Sequence, residues 1–423
     1  MNVLAVALIA LVGCGVLAWA AVRQSPSNEV PTITRPDLDR DFTRSEQDRE
    51  RRFRRRVRPW GLLALLADVA VPTVLAASGA VTAMADTVPG PWWGQTAITV
   101  GAILVSVRLI TLPGAIVVRR ASLCVGLAAG TWRRWARDLG VAFGLSWVLG
   151  AVGLCGIVGA IRLWPTWWWL PVAVGVALLV VAASFLVPVL IEPLFTHVEP
   201  MADGVLRTEL LGLAARDEVY VGEVLVADAS RRTTALNAYV SGLGASRRIV
   251  VYDTLLQTGR DNEVKAVVAH ELGHVVAHDV RTGTVLVGAG AAIAAAAAFV
   301  LLSCAPILAV AHVGSPSDPA VVGVLIAAMA WAAAISAPAR SALSRGMECR
   351  ADQHCLDLTG EPGTVVAMHR SLAITNLAPL LPPRLLHLWL GTHPTSPQRI
   401  AAARQWAVMH GVEVPAGLMA DEA

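Results

Sequence analysis

Apolar residues along this chain gather into long unbroken runs instead of alternating with polar ones. Seven runs, roughly 2–22, 60–86, 93–118, 139–161, 164–190, 282–312 and 319–339, reach the roughly 20 apolar residues a helix needs to cross a hydrocarbon core. They are rich in Gly and Ala, which let helices approach closely in lipid. Polar positions concentrate between them. The pattern predicts a mainly α protein, a seven-transmembrane-helix bundle in four parts. Residues 1–190 hold five spans with polar loops at 23–59 and 119–138. Residues 191–281 form a first hydrophilic stretch, 282–339 the last two spans, and 340–423 a C-terminal segment.

Composition agrees. Hydrophobic residues make up 55% and charged ones 15% of the 423, where about a quarter charged is usual. This excludes a disordered chain, a collagen and a secreted disulfide scaffold. Six Cys are scattered without a CxxC pair, which fits free thiols. Among 34 basic residues only Lys265 is a lysine, a bias that suggests a GC-rich bacterial genome. The arginines sit beside apolar runs, so no nucleic-acid partner is expected; the partner they imply is a lipid bilayer.

Arginine placement sets orientation. The loop 23–59 holds eleven Arg, including the run RERRFRRRVR at 49–58, and the loop 119–138 holds five, whereas 87–92 and 313–318 hold none. The positive-inside rule puts the basic loops in the cytoplasm. With seven crossings the N-terminus is outside a cell membrane, and both 191–281 and 340–423 face the cytoplasm. Leu11-Val12-Gly13-Cys14 resembles a lipoprotein cleavage box, but Met1-Asn2 supplies no basic start and the chain stays apolar to Val22, so an uncleaved helix is expected. Asp68 and Arg108 lie inside spans and should face a bundle interior. Trp164 and Trp167-Trp168-Trp169 read as an interfacial belt.

The strongest chemical signal is Ala269-His270-Glu271-Leu272-Gly273-His274. On a helix, His270 and His274 project from one face one turn apart and can converge on one zinc ion. Glu271 then lies where it can take a proton from a metal-bound water. Asp261-Asn262-Glu263 supplies a helix start, and Val264, Val267 and Val268 an apolar stripe. A catalytic zinc wants a third protein ligand. His278 lies two turns, roughly 12 Å, from His270 and cannot reach the same ion. Val280 stands where a third His ten residues after His270 would be. Glu348 is the better candidate. It pairs with Asp352 at i and i+4, so that one carboxylate can ligate while the other holds a ligand imidazole. His354 has no geometric case.

HELGHVVAH, SRGMECRAD and His393-Pro394-Thr395-Ser396-Pro397-Gln398-Arg399-Ile400 resemble, in order and style, the integral-membrane CAAX prenyl endopeptidases, gluzincin metallopeptidases with seven membrane helices. Ile191-Glu192-Pro193-Leu194-Phe195, the stretch Asp228–Asn237 with Ala238-Tyr239, and Arg248–Leu256 are similar to that family too, with Thr131-Trp132 and Asp138 a weaker element. The resemblance implies a small α/β zincin-like catalytic insert on the cytoplasmic side. It implies zinc, one ion per chain, on His270, His274 and Glu348, with Asp352 behind them. It gives His393 a place near the scissile carbonyl and Arg399 an oxyanion-side or ligand-orienting role. Asn237, Ala238 and Tyr239 lie in a strand-like stretch that could pair with an extended peptide substrate. The expected activity is zinc-dependent peptide-bond hydrolysis with Glu271 as general base. Two other roles stay open: a membrane-protein quality-control protease, and a transporter or scaffold without activity.

Overall fold

A computed structural model describes residues 3–24, 36–242 and 244–414. The chain opens with α1 (Val3–Gln24), α2 (Arg44–Ala77), α3 (Trp92–Cys124), α4 (Trp132–Leu163) and α5 (Trp169–Leu186). A small sheet follows: β1 (Val198–Pro200), helix α6 (Val205–Arg216), β2 (Glu223–Ala227), β3 (Ala238–Ser241) and β4 (Arg248–Tyr252). The helices α7 (Asp261–Val276), α8 (Asp279–Leu302), α9 (Val321–Thr359), α10 (Pro362–Thr375), α11 (Arg384–Leu390) and α12 (Ser396–His410) complete it.

Five of these, α2, α3, α4, α8 and α9, are long and apolar enough to cross a membrane. The chain is a multi-pass membrane protein. α1 and α5 are apolar over shorter stretches, Val3–Cys14 and Trp169–Ser184. The span expected over 60–86 breaks at Gly79, whose φ of +73° follows the Ser78 cap that ends α2. α2 starts well before that span, at a Thr43–Glu46 capping box, so its basic first half and apolar second half are one rod. The segment expected to end at 339 does not end there. α9 passes Pro338 and continues to Thr359, so the 339/340 boundary falls inside a continuous helix. A membrane helix tolerates an internal proline where neighbours satisfy the freed carbonyl. At 39 residues α9 is about 58 Å long, roughly twice a hydrocarbon core.

Two cores result. In the membrane half, Val100, Ile103, Val158, Phe299 and Val321 are buried together. Trp168 joins them, 2% exposed with its ring 6.0 Å from that of Phe299, while Trp164 and Trp167 stay exposed. The belt reading therefore fails for Trp168, which the turn before α5 directs inward. In the other half, Leu210, Val224, Ile249, Leu272, Cys355 and Trp406 pack sheet against helices. The sheet order is β1-β2-β4-β3, with β2 and β4 parallel and β3 at an edge. The loop before α4 docks this half onto the bundle. Arg232 donates to Asp138 at 2.9 Å, Thr233 Oγ1 to the Leu127 carbonyl at 2.9 Å, and Ala129 N–H to the Arg232 carbonyl at 2.8 Å.

Candidate active site

α7 is positioned by its buried stripe. Val264, Val268 and Leu272 are fully enclosed, each worth about 1.5–3 kcal/mol of apolar transfer. That stripe fixes the rotation of the helix and turns His270 and His274 together, ring centroids 4.9 Å apart. α9 crosses close by because α7 carries Gly273. A Cβ there would meet Ala351 Cα at 3.0 Å and the His354 Cβ at 3.1 Å. His354 itself is held from behind, its Nε2 2.8 Å from Asp217.

The close crossing delivers Glu348. Its Oε2 lies 3.3 Å from His270 Nε2 and its Oε1 3.5 Å from His274 Nε2. One donor atom from each of the three residues can be chosen within 4.8 Å of the others. Ligands of one metal ion with bonds of about 2.0–2.1 Å lie about 3–4 Å apart, so the three residues are close enough to share one ion. The electrostatics agree. Burial alone would push the His274 imidazole down, yet Asp279 and Glu348 carry it up to about 10. Burial would raise the Glu348 carboxyl, but hydrogen bonds from His270, His274 and His393 hold it well below the usual carboxylate range. Surroundings that attract a proton this strongly attract a divalent cation for the same reason.

Each imidazole spends its Nδ1 on a buried carboxylate and turns Nε2 inward. His270 Nδ1 is 2.9 Å from Asp352, and His274 Nδ1 is 2.8 Å from Asp279. Such partners fix the ring and raise its basicity as a ligand. Asp352 is held in turn by Arg399 Nε at 2.7 Å, with His369 Nε2 at 3.5 Å. Arg399 stands in the first turn of α12, behind a Thr395–Gln398 capping box. Asp279 accepts from Arg350 at 3.1 Å. Burial pushes the Glu271 carboxyl up, against the pull of His270 and His274.

Glu271 and His393 face a cavity of about 420 Å3, whose walls include Asn237, Val267, Met368 and Leu390. His393 Nδ1 sits 2.9 Å from Glu348 Oε2. Its loop hangs from α9, where Arg345 donates to the carbonyls of His387 and Gly391 at 3.2 and 2.6 Å. Of the strand residues expected to meet substrate, only Asn237 lines the cavity; Ala238 is buried, 1% exposed, and Tyr239 packs edge-on against Tyr252. Asn376 holds the chain just before them, accepting from Leu236 N–H at 2.8 Å and donating to its carbonyl at 3.1 Å. His278 is exposed, in the left-handed conformation with φ 54°, away from the ligands.

Sequence reasoning missed Asp279, His369, Arg345 and Asn376. Asp279 stands five residues after His274, which on a continuous helix faces elsewhere. Only the left-handed turn at His278 brings it back. A carboxylate five residues past HExxH is the signal that could have found it.

Membrane-length helices, one of which carries Glu348 to a candidate metal-ligand triad with His270 and His274, mark this chain as a membrane-embedded metallopeptidase. Known proteins agree. The model of peptidase family M48 matches residues 176–407, more than half of the chain, and that of the CAAX prenyl protease N-terminal region with five membrane helices matches 123–197. The chain belongs to peptidase family M48. It is 28% identical over 316 residues to the uncharacterized metalloprotease YhfN of Bacillus subtilis, covering 73% of each chain. Over 145 residues it is 32% identical to CAAX prenyl protease 1 of Saccharomyces cerevisiae, 34% of this chain but 32% of that one. The crystal structure of Ste24p from S. mikatae has the same fold, with TM-score 0.78 at 20% identity over 95% of this chain and 99% of that one.

Proposed function

We propose that this protein is a zinc endopeptidase of seven membrane spans, with its N-terminus outside and its site on the cytoplasmic face of the cell membrane. The observation that carries the reading is the convergence of buried His270, half-buried His274 and buried Glu348 within reach of one ion, with His270 and Glu348 open to a cavity beside Glu271. Two nitrogens and one carboxylate suit zinc, and three protein donors leave a fourth position free. Zinc bound there would supply an acidified water and polarise a carbonyl. Glu271 takes the proton of the attacking water and delivers it to the leaving amine. Its burial suits this, since a raised carboxyl pKa makes a better base near neutral pH. His393, at the cavity, serves the carbonyl oxygen of the bound peptide. Arg399 acts as the ligand-orienting group, because both arms of its guanidinium are committed to Asp352. α1 and α5 supply the two further spans, and the arginine-rich loops give the orientation.

Substrates are peptides or proteins held in extended form. The edge position of β3 and the exposed Asn237 on the cavity support backbone pairing, which needs no lipid on the substrate. The intact donor triad counts against an inactive transporter or scaffold. The test is metal content together with cleavage of one peptide series with and without a prenyl group. About one zinc per chain, lost in His270→Ala and in Glu348→Ala, and cleavage of unprenylated peptides are expected. Zinc retained in Glu348→Ala would remove the third ligand, and cleavage of prenylated peptides alone would overturn the substrate reading.

A further inference from the structure

The arginine run at 49–58 is not consumed by the active site. Within the run, Arg51 meets Gln47 and Asp48, and Arg54 meets Glu50 and the Leu377 carbonyl. One face lies along a cavity. Arg49, Arg52 and Arg56, spaced i, i+3 and i+7, line a cavity of about 470 Å3 between α2 and the end of α3. Its floor is Phe53 and Ala121, its far wall Cys124 and Val125, and no acidic side chain lines it. Arg49 donates to the Val125 carbonyl at 2.9 Å. Arg52 and Arg56 have no hydrogen bond or ion pair among the described residues.

The place of this cavity along the helix identifies its ligand class. α2 turns from basic to apolar within a few residues of Arg56. Leu63, two turns onward on the same face, is 40% exposed, and Leu66 beyond it 65%. A group bound at Arg52 and Arg56 therefore has apolar surface about 10 Å below it along the helix. An anionic phosphate with attached acyl chains matches both parts, charge above and hydrocarbon below. We propose that Arg49, Arg52 and Arg56 form a binding site for the phosphate headgroup of an anionic bilayer lipid, wedged between α2 and α3.

Cys124, an exposed free thiol in the cavity wall, reports occupancy. The full chain is placed in phosphatidylcholine nanodiscs with increasing phosphatidylglycerol. Alkylation of Cys124 is followed by mass spectrometry, with Cys304 as internal reference. Phosphatidylglycerol should slow Cys124 several-fold and leave Cys304 unchanged. Arg52→Gln/Arg56→Gln should raise the fraction needed for half-protection about thirtyfold, from about 1 kcal/mol per arginine. Arg51→Gln/Arg55→Gln, which removes the same charge from other faces, should leave protection intact. Equal protection in Arg52→Gln/Arg56→Gln would overturn the site. So would equal loss in Arg51→Gln/Arg55→Gln, or protection by inorganic phosphate alone in phosphatidylcholine discs.

Discussion

Asp279→Ala should loosen the metal without touching a ligand. In the wild type the Asp279 carboxylate sits 2.8 Å from His274 Nδ1, is only 7% exposed, and takes Arg350 on its other oxygen at 3.1 Å. Removing it frees the His274 ring to rotate and takes away the acceptor of its Nδ1. Arg350 is 44% exposed, so water replaces what it loses and most of the cost falls on the imidazole. Loss of such a partner weakens metal binding about 10–100-fold, or roughly 1.4–2.7 kcal/mol. The assay is competition for zinc against a chromogenic chelator, with the rate of transfer to excess chelator as a second measure. Asp279→Asn keeps an acceptor oxygen and should lose less than Asp279→Ala; Arg350→Gln should lose least. An affinity for Asp279→Ala within twofold of wild type would refute the idea that this carboxylate orients the ligand.

Glu271→Gln should retain metal and lose about 10²–10⁴-fold in peptide hydrolysis; substantial turnover would point to another base. Gly273→Ala inserts a methyl at 3.0 Å from Ala351 Cα and should cost about 1–3 kcal/mol, seen as a lower thermal midpoint and weaker metal binding together. Asn376→Ala removes both hydrogen bonds to Leu236 and should raise KM for long peptides while metal content stays at the wild-type level. Burial, with Arg399 nearby, pushes His369 down to about 4. The unfolded chain therefore takes up a proton that the folded one refuses, and stability from this residue falls as pH drops from about 6.5 to 4. His369→Gln should flatten that part of a thermal-midpoint profile; an unchanged slope would show that His369 is not the responsible group.

The parts of this molecule that the sequence displayed are those written within one element. HExxH brings His270, His274 and Glu271 to one place by helical period alone, and Glu348 with Asp352 repeats the logic on α9. The triad's closure was not legible, because it depends on how closely α7 and α9 cross, which Gly273 permits. Asp279 was hidden by a left-handed turn, and Asn376 by its distance along the chain from Leu236. Hydropathy also misled about α9, since a change from apolar to polar residues reports a change of solvent and not an end of helix. The fall in hydropathy after Pro338 marks a change in the residues α9 carries, not where it stops. The same rule explains α2, whose basic half belongs to the helix that later enters the bilayer.

The continuity of α9 changes what the metal centre is mechanically. Glu348 rides on a helix that also crosses the membrane, and Asp279, which holds His274, is the first residue of another, α8. The cluster therefore ties two membrane-length helices together. A tilt of α8 against α9 would be felt at His274, through Asp279, and at Glu348. A soluble fragment cut from 191–281 would carry two of the ligands but neither rod that aligns them. Chelation, in turn, should be felt as looser packing deep within the lipid.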